Sequence, residues 1–381
     1  MFVKSYGSAV VGIEAITVAV EVNISAGIGL YMVGLPDNAV RESQERIRAA
    51  FENCSYKMSG RKVIVNLAPA DIRKEGSAYD LPIAVAVLAA TEQVDSAPLA
   101  RYVLMGELSL DGSLLPVRGA LPIAIQAQKE GFKGVILPKQ NAAEAAVVGS
   151  LEVYGAGHLR EVVGFLCGEH TLSRTTVDLE GRFRENAERF DVDFGDVRGL
   201  AHVKRALEIA AAGGHNVLMI GPPGSGKTML ARRMPSIMPP MTLQEALETT
   251  KIHSVAGKLG AETGLLVTRP FRSPHHLTSQ AALVGGGTSP QPGEISLAHN
   301  GILFADELPE FGRSLLETLR QPMEDKVITV SRSKYTVQYP ANFMLVASMN
   351  PCPCGYYNHP TKACVCSHGA VSKYLNRISG P

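Results

Sequence analysis

Residues 221–228 read Gly-Pro-Pro-Gly-Ser-Gly-Lys-Thr and follow an apolar run, Asn216–Ile220, that has the length of a buried strand. This glycine-rich pattern between a strand and a helix is a phosphate loop. Its glycines let backbone N–H groups approach phosphate oxygens, and the helix that starts after Gly226 adds its dipole. Lys227 supplies a positive charge and Thr228 offers a hydroxyl to Mg²⁺. The sequence therefore predicts an α/β fold around a nucleoside triphosphate site.

A second apolar run, Gly301–Ala305, ends in Asp306 and Glu307. An acidic pair after an apolar run is common by chance and usually caps a helix. Together with the phosphate loop, it predicts a Walker B strand in which Asp306 holds the Mg²⁺ shell and Glu307 polarises a water towards the γ-phosphate. A third run, Phe343–Ala347, ends just before Asn350. Because carboxyl ends of parallel strands share one sheet edge, the three strand tips are expected to converge on one triphosphate.

Length and charge restrict the kinds of protein that this chain can be. With 381 residues and 45% hydrophobic content, the chain is long enough for two domains with proper cores. Its net charge of +1 gives no global attraction to nucleic acid or membrane, so any polyanion contact must come from a local patch. No apolar stretch reaches membrane-spanning length and no signal peptide is visible, which predicts a cytoplasmic protein without a membrane partner.

Alternating strand and helix patterns over residues 1–167 predict one α/β domain. Within it, Asp37 is expected to cap a helix, and a hairpin is expected around Asp111–Gly112. The polar and charged residues 168–190 are typical of a linker. The second domain is predicted to cover residues 191–381.

The second domain resembles the magnesium-chelatase-like branch of AAA+ ATPases, and the whole chain is similar to the YifB/ComM family within that branch. Asp196–Leu207 is similar to the segment that lies over the adenine in AAA+ modules. Arg269–His276, Gly285–Gly287 and Pro292–Gly301 resemble the insertion of this branch in its second helix. Asp325–Tyr339 resembles the presensor-1 β-hairpin. The implied fold is a P-loop AAA+ parallel-sheet domain.

The resemblance completes the predicted site. An AAA+ ATPase carries its sensor-1 polar residue at the tip of the strand beside Walker B, which here is Asn350. ATP and Mg²⁺ are the implied cofactors, with Lys227, Glu307 and Asn350 as catalytic residues and Thr228 and Asp306 on the metal. The nucleotide-binding residues are predicted to be Gly221, Pro222, Pro223, Gly224, Ser225, Gly226, Lys227, Thr228, Met229 and Val197.

The hairpin at Asp325–Tyr339 carries Arg332 and Lys334 near its middle, a small cationic tip suited to a phosphate backbone. From charge alone, these residues would serve only to keep a solvated edge from aggregating. In hexameric motors of the resembling branch such hairpins point into a central pore, which implies DNA contacts at both residues. The adjacent His275 and His276 are given no metal role.

The N-terminal domain resembles the Lon-protease fold, which is ribosomal S5 domain 2-like, through Lys74–Leu81 and Gly106–Val117. In Lon-type peptidases a serine from the first region is activated by a lysine on the helix after the second. That helix has no lysine here until Lys129, so Ser77 lacks a general base. The domain is therefore predicted to be a non-proteolytic scaffold for ring assembly or partner binding.

Six cysteines without a secretion signal indicate thiol or metal chemistry more than structural disulfides. Four of them form two CxC pairs, Cys352 with Cys354 and Cys364 with Cys366. Four thiolates on one short segment can close a tetrahedral zinc site, although CxC is less usual than CxxC. A redox pair and four unpaired thiols are the alternatives. Structural zinc is favoured, as a clip that stiffens the chain after Asn350.

The resemblance also implies a function. It predicts an ATP-dependent hexameric DNA motor, a ComM-like helicase for branch migration in recombination during natural transformation. The alternatives are a magnesium-chelatase-type motor subunit and an AAA+ remodeller of protein partners. Related ATPases continue with an arginine finger and a helical lid, so the sequence is expected to be truncated before the lid. Arg377 lies upstream of the finger position and is not assigned to it.

Overall fold

The computed structural model of the chain describes residues 1–179, 181, 183, 190–260, 263–287, 290–331 and 336–378. The chain divides into two compact units. The N-terminal unit comprises Met1–Leu179 together with His253–Leu265, and the C-terminal unit comprises Glu180–Ile252 together with Leu266–Pro381.

Strands and helices alternate along the N-terminal unit. Its strands are β1 (Phe2–Val11), β2 (Glu14–Ser25), β3 (Leu30–Val33), β4 (Lys62–Ala68), β5 (Tyr102–Leu104), β6 (Glu107–Leu108), β7 (Leu114–Leu115), β8 (Gly134–Pro138) and β9 (Glu152–Ala156). Its helices are α1 (Asn38–Asn53), α2 (Asp80–Ala90), α3 (Ala120–Lys129), α4 (Lys139–Ala145) and α5 (Leu159–Leu166). Seven strands form one sheet in the order β3-β4-β2-β1-β5-β8-β9, and β6 and β7 form a separate hairpin. The large sheet is mixed, because β2 runs antiparallel to both of its neighbours while the other pairs are parallel.

Local sequence explains several of these elements. Asp37 precedes α1, and its side chain accepts a hydrogen bond from the Val40 N–H at 2.8 Å, as predicted for a helix cap. In β2 the side chains of Val18, Val20 and Val22 are fully buried while the residues between them are partly exposed, so the strand has one core face. Every residue of α2 is buried, as expected for a helix that is apolar on all sides.

A buried ion pair joins α1 to α2. The Arg46 guanidinium donates to both carboxylate oxygens of Asp80, at 2.7 and 2.9 Å, and the Leu108 N–H donates to the same carboxylate at 3.1 Å. The Asp80 side chain is fully buried, whereas that of Arg46 is 20% exposed. Burial raises the pKa of Asp80, and the hydrogen bonds from Arg46 oppose this shift. The guanidinium binds both carboxylate oxygens, so each charge has its partner inside the protein, where water cannot replace that partner.

A second buried carboxylate holds the segment His253–Leu265 in the N-terminal unit. Glu144 accepts hydrogen bonds from the Leu121 N–H at 2.8 Å and from the Ser254 hydroxyl. The Gly119 N–H donates to the Ser254 carbonyl at 3.3 Å. The sequence predicts one contiguous second domain, whereas these contacts place a short piece of that range with the first.

The C-terminal unit contains the remaining elements. Its strands are β10 (Val217–Ile220), β11 (Phe271–Arg272), β12 (Gly285–Gly286), β13 (Gln291–Pro292), β14 (Ile302–Ala305), β15 (Val327–Ser331), β16 (Thr336–Pro340) and β17 (Met344–Met349). Its helices are α6 (Ala201–Gly213), α7 (Lys227–Arg233), α8 (Leu243–Val255, whose last residues lie in the N-terminal unit), α9 (Gln280–Val284), α10 (Glu294–Leu297), α11 (Arg313–Asp325) and α12 (His368–Leu375). Among all helices formed by the described residues, none is long and apolar enough to cross a membrane.

Four strands of the C-terminal unit form a parallel sheet in the order β10-β17-β14-β11. The register pairs Ile220 with Met349 and Ala305 with Ala347. Three strands therefore end side by side at one edge of the sheet. This confirms the α/β class and the parallel sheet that the sequence predicts for this part of the chain.

β15 and β16 form the β-hairpin that the sequence predicts at Asp325–Tyr339. The strands are antiparallel, and the pair nearest the turn is Ser331 with Thr336. Arg332 and Lys334 lie outside the described residues. Their predicted contacts with DNA stay a prediction.

Replacement of Arg46 by alanine is expected to destabilise the N-terminal unit by about 3–5 kcal/mol, because it leaves the Asp80 carboxylate buried without its partner. Arg48→Ala is the matched control, since Arg48 lies on the same helix, is 47% exposed and, among the described residues, pairs with the exposed Glu45. That variant is expected to lose less than about 1 kcal/mol. Amide hydrogen exchange in α1 and α2 measures both losses. Equal loss of protection in the two variants would contradict the importance of the buried pair.

Candidate functional site

The phosphate loop connects the end of β10 to the start of α7. Gly224 and Gly226 have φ angles of +77° and +85°, a left-handed conformation that glycine adopts without strain. The Gly221 N–H donates to the carbonyl of Met349 at 3.3 Å, which ties the start of the loop to β17. The crest of the loop, residues 223–225, is exposed. The loop thus presents its backbone to solvent at the edge where three strands end.

The Lys227 ammonium lies inside this loop. Its Nζ donates to the carbonyls of Gly221 and Pro222, at 2.8 and 3.0 Å, and to Oδ1 of Asn350 at 3.3 Å. Burial lowers the pKa of Lys227, while the charge of the nearby Asp306 opposes that shift. All three acceptors are neutral, so phosphate oxygens can replace them and strengthen the attraction to the cation. The structure thereby brings Lys227 and Asn350 together, as the strand order requires.

The Asp306 carboxylate lies between the helix after the loop and β17. One oxygen accepts a hydrogen bond from the Thr228 hydroxyl at 2.9 Å, and the other accepts one from the Ser348 hydroxyl. Carboxylate and hydroxyl oxygens are hard ligands of the kind that Mg²⁺ prefers. Sequence reasoning assigned Thr228 and Asp306 to the metal but missed Ser348. The sequence feature that points to Ser348 is its position on the strand that leads to Asn350.

Glu307 follows Asp306 directly and has a left-handed backbone, with φ at +55°. Its side chain is exposed at the same sheet edge. A residue with a side chain costs on the order of 1–3 kcal/mol in such a conformation, and residues of this kind are frequent at active sites. The Glu307 charge acts on Lys227, together with that of Asp306, so both carboxylates lie near the phosphate loop.

Two further predicted nucleotide contacts lie in different surroundings. The Val197 side chain is only 4% exposed and belongs to a core cluster with Leu207 and Met219. The Val197 carbonyl accepts a hydrogen bond from Lys204 at 2.9 Å. Met229, in the first turn of α7, is 37% exposed. The structure therefore places the Met229 side chain, and not that of Val197, at the surface.

The four clustered cysteines meet in one place. The Sγ atoms of Cys352, Cys354, Cys364 and Cys366 all lie within 4.8 Å of one another. Three of the separations are 3.4, 3.6 and 3.7 Å. Four sulfurs around one zinc ion lie about 3.8 Å apart, because Zn–S bonds are about 2.3 Å long and the geometry is tetrahedral. The donor set and its spacing therefore fit a zinc ion.

Backbone N–H groups donate to two sulfurs of this cluster, those of Cys352 and Cys354. Cys352 is fully buried, and its sulfur accepts a hydrogen bond from the Tyr357 N–H at 3.3 Å. The N–H groups of Tyr356 and Val365 lower the pKa of Cys354 to about 6. Such donors stabilise negative charge on sulfur, as metal ligands require.

In the N-terminal unit, Ser77 and Lys74 lie in the segment that resembles a peptidase, but they are not hydrogen-bonded to each other. The Ser77 hydroxyl donates to the Glu107 carboxylate, and the Lys74 ammonium donates to the Pro69 carbonyl. Lys74 is fully buried, and burial lowers its pKa. No amine is therefore bonded to Ser77 within the described residues. Glu107 is a contact that sequence reasoning missed.

Comparison with known proteins identifies the family to which the chain belongs. The family model described as "Magnesium chelatase, subunit ChlI" matches residues 193–381, and the model "Subunit ChlI of Mg-chelatase" matches residues 20–141. The chain is 48% identical over 378 residues to "Uncharacterized protein YifB" of Salmonella typhimurium, covering 98% of this chain and 72% of that protein. It is 46% identical over 378 residues to "Competence protein ComM" of Haemophilus influenzae, covering 99% of this chain and 73% of that protein.

A more distant similarity covers part of the chain. The "Magnesium-chelatase 67 kDa subunit" of Chlorobaculum tepidum is 28% identical over 166 residues, which is 42% of this chain and 23% of that protein. The long matches cover nearly the whole chain, whereas this one covers less than half of it. The chain therefore belongs to the YifB/ComM family, with magnesium-chelatase ChlI-like domains over nearly its whole length.

Proposed function

We propose that the chain is an ATP-driven motor that acts on DNA. One observation carries the nucleotide part of the proposal: Lys227 and Thr228 of the phosphate loop are hydrogen-bonded to Asn350 and Asp306, the residues at the ends of the next two strands. Membership of an AAA+ family of the magnesium-chelatase type implies ATP hydrolysis. The residues that we assign to that reaction lie at one sheet edge.

Each residue has a definite task in this proposal. The loop N–H groups and Lys227 bind the phosphates, and Thr228 and Asp306 hold Mg²⁺, which supplies positive charge to the transferring phosphoryl group. Glu307 accepts a proton from the attacking water. Asn350, already bonded to Lys227, orients the γ-phosphate side of the site. Ser348 keeps the Asp306 carboxylate in place through its hydroxyl.

DNA, as the polymer on which the motor acts, is inferred from similarity and charge. The chain is 46% identical to a protein named for competence, and its β15–β16 hairpin carries Arg332 and Lys334 between the two strands. We propose that the protein assembles as a homo-hexamer and threads branched or single-stranded DNA past this hairpin. Its task would be branch migration during natural transformation, in the cytoplasm, where incoming DNA is recombined.

A magnesium-chelatase motor subunit is the second candidate. The descriptions of both family models favour it, because they name a chelatase subunit. Such a motor would drive metal insertion through a partner protein and would not need DNA. The DNA motor has better support, since the competence protein matches over 378 residues and the chelatase subunit over 166.

We further propose that Cys352, Cys354, Cys364 and Cys366 hold one structural zinc ion. The sulfur separations and the N–H donors support this assignment. The ion would close the segment between β17 and α12, which has no regular secondary structure of its own. In such sites the energy of metal binding becomes folding energy.

Lys227→Ala is expected to weaken ATP binding by at least about 100-fold, because it removes the charge that faces the phosphates. Glu307→Gln is expected to retain binding and to lower turnover by about 100-fold or more, since it removes only the proton acceptor. Glu310→Gln is the control for turnover, because Glu310 pairs with Arg377 at the surface. Titration with a fluorescent ATP analogue and a phosphate-release assay provide the measurements. Unchanged nucleotide affinity in Lys227→Ala would rule out the assigned site.

One zinc ion per chain is expected by elemental analysis of protein purified under reducing conditions. Cys352→Ser and Cys366→Ser are each expected to lose the ion and to lower the thermal transition of the C-terminal unit. Cys167→Ser is the control, because Cys167 is an exposed free cysteine outside the cluster. Zinc-free wild-type protein would end this proposal.

Simultaneous replacement of Arg332 and Lys334 by alanine is expected to weaken binding to all DNA sequences alike. The log–log salt dependence should flatten by about 0.7–0.9 for each phosphate contact that is lost. Arg48→Ala with Lys139→Ala removes the same charge from exposed sites of the N-terminal unit and should leave DNA affinity unchanged. ATP affinity should survive in both variants. The chelatase candidate is favoured instead if the hairpin variant binds DNA as the parent protein does.

A further inference from the structure

The turn inside the cysteine cluster packs against the phosphate loop. Gly355 is buried, follows Cys354, and donates its N–H to the Cys352 carbonyl at 2.9 Å. Its φ angle is +85°. A Cβ atom placed on Gly355 would lie 2.6 Å from Cδ and 3.2 Å from Cγ of Pro223. The turn therefore approaches the ring of Pro223 so closely that only a glycine fits.

Pro223 is a member of the phosphate loop itself, at the start of its exposed crest. The segment that carries the cysteines has two other links to this loop through the end of β17. The Gly221 N–H bonds to the carbonyl of Met349, and Lys227 bonds to the side chain of Asn350, two residues before Cys352. The loop that would hold the phosphates thus rests on the segment that would hold the metal.

We propose that the cysteine segment, residues 352–366, is a brace for the phosphate loop, so that metal binding at the four cysteines raises the affinity for nucleotide. Gly355 is the positioning residue, because it transmits the fixed shape of the turn to Pro223. This inference rests on the proposed nucleotide and zinc sites and adds a coupling between them.

The physical reason is the cost of ordering a glycine-rich loop. A loop that is held in its binding shape before the ligand arrives loses less conformational freedom on binding. Four thiolates bonded to one cation fix the turn at Gly355, whereas without the cation no bond holds the four sulfurs together and the turn is free to open. Pro223 then loses the surface against which it packs. Nucleotide must in that case order the loop itself, and binds more weakly.

Two sites coupled in this way affect each other by the same factor. Couplings between sites in proteins commonly change affinity by about 5–150-fold. We expect about 10-fold here, since a single van der Waals contact and two hydrogen bonds connect the sites. Zinc should strengthen nucleotide binding by this factor, and nucleotide should strengthen zinc binding equally.

The first measurement uses the unmodified chain. A fluorescent ATP analogue is titrated into zinc-loaded protein and into protein stripped with a chelator, whose fold is checked by circular dichroism. In parallel, zinc is titrated against a colorimetric chelator with and without a saturating concentration of the same ATP analogue. Both titrations are expected to give the same factor of about 10. The zinc titration does not require metal-free protein that stays folded, so it measures the coupling between the two sites even if the stripped chain unfolds.

Gly355→Ala tests the contact itself. This variant is expected to keep one zinc ion and to bind the nucleotide analogue about 10-fold more weakly, because the added methyl group displaces Pro223. Gly214→Ala is the matched control: Gly214 also has a positive φ, +65°, but an added Cβ meets nothing within 4 Å. The control carries the same kind of backbone strain and should bind nucleotide as the parent does.

The outcomes separate this inference from those on which it rests. A chain that binds nucleotide and zinc with no mutual effect overturns the brace and leaves both sites standing. Unchanged nucleotide affinity in a zinc-loaded Gly355→Ala variant overturns it as well. A chain that binds no zinc removes the metal site and the brace together, while failure to bind any nucleotide removes the proposed function.

Discussion

The Asp306 carboxylate connects the parts of the candidate site that come from different regions of the chain. It accepts the Thr228 hydroxyl with one oxygen and the Ser348 hydroxyl with the other. Thr228 lies in the first turn of the helix after the phosphate loop, and Ser348 lies near the end of β17, so one short side chain sets the spacing between them. That spacing depends on the register of the parallel strands, which pairs Ala305 with Ala347. A slip of one residue would turn Asp306 to the other face of the sheet and break both hydrogen bonds.

Much of this site could be predicted because its functional residues lie in short, contiguous segments of the sequence. The phosphate loop needs glycines and a lysine in a fixed local order, and Asp306 is marked by the apolar run before it. The α/β class followed for the same reason, since hydrophobic periodicity is a local property. Ser348 could not be predicted in the same way. A serine near the end of a strand is common, and only the register between β14 and β17 brings its hydroxyl to Asp306.

Contacts between distant segments account for what the sequence left out. Gly355 is recognisable as a turn residue between cysteines, but nothing in the local pattern indicates that the turn meets Pro223. The segment His253–Leu265 begins within the last turn of α8, so its sequence suggests the second domain. Its place is decided instead by the buried Glu144 carboxylate, which needs the Ser254 hydroxyl as a partner. In each case tertiary packing adds a constraint that propensity and spacing do not contain.

The two units use their polar side chains differently, and this difference supports assigning the chemistry to the C-terminal unit. In the N-terminal unit, the Lys74 ammonium is fully buried on a backbone carbonyl, and the Ser77 hydroxyl is directed to a carboxylate. Any ligand that competed for Lys74 would have to enter the core.

In the C-terminal unit, Lys227 is only partly buried, and its partners are two loop carbonyls and an amide oxygen. Beside them, the exposed Glu307 has a left-handed backbone conformation of a kind that clusters at active sites. Groups that are charged, accessible and bonded to neutral partners gain most from a phosphate and its metal ion. Catalysis is therefore expected at the sheet edge and not among the buried charges of the first unit.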